Sequence, residues 1–384
     1  MGKSKEQRVI IQHYIPRCIL SYFCNDKKQI YEGLVMTKKQ YQTNIINSMA
    51  ERFTYEHSLI EVNFLEKYFQ RIESYIGKVY KDINDSLNKN IDNPKEFNEI
   101  KKFINRYMKE YLIFYYRSGA LLHEFGYENN NREDRILLLL RKLFNSKYIR
   151  QLSETVLNNY SFSIIKSVEG KFLVSDQFVS TAALGIKNNF TNVSNRQIGF
   201  KKVIILVPIS KNYYAVYFHG NTPSYIRTDK INTLSLDNLR EINKIIVNNS
   251  YVKCVGNDDE SLSTALSEFK FQSPITTISR YESGLTKGAV TKKEIYFYKK
   301  DEETMKLFSS SDWMKYKLLS RNDICSCGSK KKYKYCHMDN YLELKNMMDH
   351  IKYNRSENVY HFPKNYTVEL PINEWAGIVD SKKN

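Results

Sequence analysis

No run of about 18 apolar residues occurs anywhere in these 384 residues, so the sequence offers no membrane-crossing helix. The opening MGKSKEQRVIIQHYIP lacks the long apolar core and small-residue cleavage site of a secretion signal. Gly2 followed by Ser4 is a poor myristoylation match. There is no GxxxxGKS/T loop, no GxSxG elbow, no HExxH and no internal repeat, which removes the motif-borne hydrolase classes and solenoid folds. Cysteines number six, and Cys18, Cys24 and Cys254 make no disulfide framework. A reducing, cytoplasmic location is the expectation. Acidic residues are also in short supply, 42 against 59 Lys and Arg.

What is present begins with that imbalance. A net charge of +17 points to a polyanionic partner such as DNA, RNA, the ribosome or an acidic membrane surface. The plainer reading is compositional, because lysines are spread along a chain rich in Lys, Asn, Ile and Tyr. Hydrophobic content of 42% and charged content of 26% fit a globular protein with ample length for a core.

The densest chemistry lies in Arg321–His337, RNDICSCGSKKKYKYCH. Cys325 and Cys327 form one ligand pair, and Cys336 with His337 forms another beyond a short loop containing Gly328 and Ser329. Three thiolates and an imidazole at this spacing suit a closed tetrahedral zinc site; the alternative is three incidental reduced cysteines on a basic loop. The run resembles the SEC-C motif, best known from the C-terminal tail of the translocation ATPase SecA. Arg321, Asn322, Asp323, Gly328, Ser329, Lys331, Lys332, Tyr333 and Lys334 match it beside the four ligands, while Ile324, Ser326 and Lys330 depart from it. The resemblance implies zinc and a docking role. As a binding protein, the chain would use the lysines around the knuckle, Lys330, Lys331, Lys332 and Lys334, to dock RNA, the ribosome or a partner protein. A closed four-ligand shell has no open position for catalysis.

Along the chain, Pro16 restricts Ile15 to extended geometry and starts a helix over Arg17–Phe23. A strand is expected over 28–36. Residues 58–88 read as a helix whose apolar face carries Val62, Leu65, Phe69, Ile72, Ile76 and Val79. Glu66 and Glu73 flank that face; they can bind a metal or serve as acid and base, or equally pair with Lys67 or Arg71. A polar loop around Pro94 leads to a second helix reaching Phe125, and a third spans 132–158. Strand-like segments follow. Residues 161–167 and 171–175 are expected to form a hairpin through Val168-Glu169-Gly170. Further strands are expected over 203–207, closed by Pro208, and over 213–218, then a helix over 236–249. Residues 256–292 read as mostly irregular, 293–298 as a last strand and 303–319 as a helix leading to the cysteine-rich loop. After it a helix to about 352 and a tail packing through Trp375 are expected.

The fold expected is therefore α+β: a helical N-terminal layer packed on an antiparallel β-sheet, with a small C-terminal zinc-binding knuckle. The domain division is a body over 1–300 (helical 8–158, β-rich 160–255, an irregular boundary 256–292), a connecting helix over 301–320, the zinc motif over 321–340 and a tail over 341–384.

A second resemblance rests on His13-Tyr14-Ile15-Pro16 followed by Leu20 and Phe23, then on Glu66 and Glu73, Phe172–Asp176, Pro208-Ile209-Ser210, and Glu241-Ile242-Asn243 with Asn248. Over about residues 8–260 this order is similar to the bacterial family called domain of unknown function 4238. Phe178 stands where that family has proline, and Ser250 and Val252 replace its A-x-x-V pattern. The resemblance marks His13, Glu66, Glu73 and Asp176 as catalytic candidates. One histidine and three carboxylates can hold Mg2+ or Mn2+ for phosphoryl transfer. The function hypotheses are thus a zinc-containing cytoplasmic protein docking nucleic acid, the ribosome or a protein, and a metal-dependent nuclease or toxin-like effector of bacterial phage defence. A zinc-stabilised protein with a ligand site invisible to sequence is the plain alternative.

Overall fold

A computed structural model describes residues 8–89, 93–118, 136, 139–140, 143–144, 146–185, 198, 202–270, 276–280, 286–290, 295–309, 315–342, 345, 361–362 and 366–367. The chain opens with β1 (Ile11–His13), and Pro16 sets up the short helix α1 (Arg17–Leu20). Strands β2 (Gln29–Leu34), β3 (Lys39–Asn44) and β4 (Ala50–Arg52) follow, with β4 antiparallel to β1 so that His13 faces Ala50. Helix α2 (Phe64–Leu87) comes next. Leu65, Phe69, Ile72, Ile76, Val79, Ile83 and Leu87 are buried along it, the three-and-four spacing that lays one stripe against the core. Each such side chain contributes roughly 1.5–3 kcal/mol by leaving water.

The expected second long helix is two. α3 (Pro94–Arg106) begins at Asn93, whose side chain caps the Glu96 N–H, and α4 (Met108–Arg117) follows a break at Tyr107. Ser118 turns extended and stops α4; the segment to Phe125 lies outside the described residues. Of the third expected helix, Ser146–Asn159 is described as one element.

The helices lie on a five-stranded sheet of β5 (Ser161–Lys166), β7 (Ser180–Ala183), β8 (Val203–Ser210), β9 (Tyr213–His219) and β10 (Ile231–Thr233), in the order β10-β5-β9-β8-β7. All its pairings are antiparallel except β10 with β5. A second sheet, β3-β2-β11-β6, is antiparallel throughout and includes β6 (Leu173–Ser175) and β11 (Lys253–Gly256). The architecture is α+β, with N-terminal helices packed on a sheet. Three tyrosines fasten the layers through their hydroxyls: Tyr80 donates to the Pro208 carbonyl at 2.9 Å, Tyr213 to the Leu87 carbonyl at 3.0 Å and Tyr217 to Asn105 Oδ1 at 2.8 Å. Aromatic bodies fill the core while their polar tips find partners.

The expected hairpin at Gly170 does not form. β5 pairs with β9 and β10, whereas β6 pairs with β11, so the chain changes sheets there. Gly170 takes φ +68, which a residue without Cβ adopts at little cost. The helix Leu236–Asn249 ties the two sheets together: Asn243 accepts from the Leu173 N–H in β6, and Asn249 exchanges two hydrogen bonds with Thr181 in β7. β8 runs through Pro208, with a register shift, where sequence reading ended it. The stretch read as irregular holds a helix, Asp259–Ser267, capped by Asp258, and a strand pair, Thr276–Arg280 with Thr286–Val290. In the expected strand near 293–298, Tyr296 makes an isolated bridge with Ala183. Lys299–Ser309 is helical, and 338–342 begin the helix expected after the cysteine-rich loop. Trp375 lies outside the described residues.

Candidate functional sites: a Cys3His knuckle and a buried-arginine pocket

The four knuckle side chains converge. The loop folds back on itself through an Ile324–Lys332 bridge, with the Cys325 N–H donating to the Lys331 carbonyl at 2.9 Å. Gly328 takes φ +81 with open space around it, and Lys330 takes φ 57. The turn therefore costs least where glycine stands. Tyr333 is buried against Tyr316 at 6.0 Å between rings, and Tyr316 also packs on His337 at 5.3 Å. These contacts bring Cys325 Sγ to 3.3 Å from His337 Nδ1, Cys336 Sγ to 3.1 Å from the same nitrogen, and Cys327 Sγ to 3.5 Å from Cys336 Sγ.

All four ligand atoms lie within 4.8 Å of one another. A tetrahedral zinc ion with bonds of about 2.0–2.3 Å separates its ligand atoms by about 3.3–3.8 Å. The donor set and spacing therefore fit a metal, with His337 offering Nδ1. Among the described residues this is the one such group. The hydrogen bond with Ser329 lowers the Cys327 pKa and so favours the thiolate a metal takes, whereas burial raises that of Cys325. Lys330, Lys331 and Lys332 are exposed, and Lys334 lies over the Tyr335 ring at 4.9 Å.

The other sequence candidates divide. His13, Glu66 and Glu73 line one cavity of about 330 Å3 together with Arg17, Gln70, Arg117 and the apolar Val9, Ile11 and Ile46. Strand β1 ends at His13, the α1 start places Arg17, and successive turns of α2 present Glu66, Gln70 and Glu73. α1 approaches α2 closely because Gly77 has no side chain: a Cβ there would sit 3.1 Å from Cys18 Cβ. Arg117, at the end of α4, is only 1% exposed. Its Nη1 donates to Glu73, its Nη2 donates to the His13 carbonyl, and its guanidinium lies 4.2 Å from the Phe69 ring centre. Tyr55 donates to the Arg117 carbonyl at 2.7 Å. One buried cation thus fixes the end of β1 and the second glutamate at once.

His13 Nε2 lies 2.9 Å from the Ile46 carbonyl. A carbonyl only accepts, so Nε2 carries the hydrogen and the neutral ring keeps its lone pair on Nδ1. Burial, reinforced by Arg17 and Arg117, lowers its pKa against the opposing Ile46 hydrogen bond and Glu73. Glu66 has a buried Oε2 with no hydrogen-bond partner. Burial raises its pKa, Glu73 and Glu56 add to the rise, and Arg117 and Arg17 oppose it.

Asp176 does not line this cavity. It is 2% exposed and accepts from the backbone N–H groups of Tyr251, Val252 and Lys253 at 2.7–3.0 Å. Its carboxylate holds the entry to β11. Sequence reasoning did not select Arg117 or Gln70; the only signal was a lone arginine inside the apolar run IFYYRSG, since a fully buried arginine has a paired, specific task.

Two family models match the chain. The one described as protein of unknown function, DUF4238, covers residues 11–109, and the SEC-C motif covers residues 321–339. The first match includes His13, Glu66 and Glu73 and stops short of Arg117 and Asp176. The chain thus carries a DUF4238 segment and a C-terminal SEC-C motif whose ligands converge. No curated protein and no solved structure matches it. No helix among the described residues is long and apolar enough to cross a membrane.

Proposed function

We propose that this is a cytoplasmic zinc-carrying protein whose knuckle docks nucleic acid or the ribosome. Cys325, Cys327, Cys336 and His337 hold the structural zinc, and Lys330, Lys331, Lys332 and Lys334 meet phosphates. The observation that carries the reading is the loop itself: four converging ligands fix a turn that carries three exposed lysines, Lys330, Lys331 and Lys332, and the half-buried Lys334. A turn fixed by its ligands presents these cations with little backbone ordering left to do when a polyanion binds. The body over 1–300 is then carried to its target by the motif over 321–340, through the connecting segment 301–320.

The test is binding of full-length protein to RNA and to ribosomes across a salt series. Lys→Glu changes at the four positions should weaken binding steeply and reduce the salt slope by roughly 0.7–0.9 for each phosphate that is no longer neutralised. Unchanged affinity and slope would remove the docking role.

A second reading is supported by the cavity that gathers His13, Glu66 and Glu73 around Arg117: the body cleaves nucleic acid, as a toxin-like effector of phage defence would. Asp176 has no part in that site, because its carboxylate is taken up by three backbone donors.

A further inference from the structure

The nuclease reading can be made more specific by asking what the pocket's donors and acceptors allow. Mg2+ and Mn2+ chemistry needs carboxylates free to converge on one cation. Among the described residues His13, Glu66 and Glu73 do not make a three-ligand group, and Glu73 already bonds the Arg117 guanidinium. That cation in the wall opposes a second one. What the pocket offers instead is two arginines, a neutral imidazole held in one tautomer, and a desolvated carboxyl group.

Resting on the nuclease reading, we propose that this pocket cleaves RNA without a metal ion, His13 taking a proton from a ribose 2′-hydroxyl and Glu66 giving one to the departing 5′-oxygen. The 2′-oxygen attacks the adjacent phosphorus, forming the 2′-O–P bond as the P–O5′ bond breaks. The 2′-hydroxyl proton passes to His13 Nδ1, and the Glu66 proton passes to the 5′-oxygen. The products are a 2′,3′-cyclic phosphate and a 5′-hydroxyl. No water, oxidant or cofactor enters this step, and proton exchange with solvent resets the pair.

Four observations carry the assignment. The Ile46 carbonyl fixes the His13 tautomer with Nδ1 as the acceptor, as a base must have. Glu66 lines the cavity with its Oε2 turned away from water and without a hydrogen-bond partner, and this desolvation favours the protonated carboxyl group. Arg117 is a fixed positive charge buried in the wall, while exposed Arg17 also lines the cavity and meets the phosphate. Charge developing on phosphate oxygens is stabilised by such fixed cations. Finally, Ile11 and Ile46 line the cavity and are 48% and 51% exposed, giving a base an apolar surface beside the reacting groups. In this scheme His13, Glu66 and Arg17 touch substrate; Arg117 positions Glu73 and the His13 backbone.

The experiment uses the full chain with its knuckle ion in place. A mixed-sequence oligoribonucleotide is incubated in resin-treated buffer without added Mg2+ or Mn2+, and product ends are identified. Expected are 2′,3′-cyclic phosphate ends, no cleavage of an all-2′-deoxy oligonucleotide, and a rate about 10²–10⁴-fold lower for His13→Ala and Glu66→Gln. Melting curves establish that both variants fold, and two separate variants guard against one failing. Cleavage only with added Mg2+ or Mn2+, or with 3′-hydroxyl ends, overturns the metal-free step and keeps the nuclease reading. No cleavage of RNA or DNA in any buffer overturns both.

Discussion

The knuckle and the pocket are built on opposite principles. Cys325 and His337, which meet across the knuckle, are 12 residues apart; Arg117 and His13, which meet in the pocket wall, are 104 apart. In the knuckle a short turn and a handful of rings do the positioning, and in the proposed zinc reading a metal would supply the cohesion that so few buried residues cannot. In the pocket β1, α1, α2 and α4 must all be packed before the side chains share a cavity. A site of the first kind depends on its ligands, and one of the second kind depends on the core behind it.

Removing a ligand breaks this contrast most sharply. Cys336→Ser should take bound metal from about one ion per chain to none, measured by elemental analysis, and should open the knuckle to proteolysis. Structural zinc contributes about 10–16 kcal/mol to folding in zinc-finger peptides. The body's melting transition should barely move, because the buried group of Tyr316, Cys325 and Tyr333 is separate from the main core. A large fall in that transition would mean that the two regions are one folding unit.

The same contrast governs what could be read in the sequence. Cys325, Cys327, Cys336 and His337 were legible because ligand spacing in a short loop is itself geometry. The α2 face was legible because Leu65, Phe69, Ile72 and Ile76 repeat with the helical period. The change of sheets at Gly170 was not, since a turn signal between two apolar runs says nothing about which strands they join. Asp176 looked catalytic because it stands at a polar position of the family resemblance; its three backbone donors follow from where β11 begins, and no local pattern encodes that. Arg117 was passed over for the complementary reason. It sits among aromatics in α4, and its partners His13 and Glu73 come from distant segments.

Arg117 also gives the next largest effect and tests the pocket side of the comparison. Arg117→Ala leaves Glu73 and the His13 carbonyl without their shared donor and opens space beside Phe69 and Tyr55. Breaking a buried charge pair costs about 3–5 kcal/mol, read as a lower urea midpoint with metal content unchanged. Arg117→Lys keeps the charge but cannot fork to both partners, so a smaller loss is expected. A loss under about 1 kcal/mol for the alanine variant would mean that the pocket wall does not rest on this residue.

The smallest effect has the most informative sign. Burial raises the Glu66 pKa above its unfolded value, so as pH climbs through the folded pKa the folded state bears a charge that the unfolded state carries more easily in water. Stability from this group is fully present below the unfolded pKa and is lost on that climb. Glu66→Gln removes the charge, so it should raise the melting temperature at pH 7, and the gain should shrink as pH falls toward about 4, where the free carboxylate also protonates. Glu73→Gln, which gives up the carboxylate that the Arg117 guanidinium donates to, should be destabilised instead. A variant that gains stability while losing cleavage marks a group kept for chemistry against the interest of the fold. If Glu66→Gln instead melts lower at pH 7 and the loss persists at pH 4, Glu66 is part of the fold's own support and the acid role assigned to it fails.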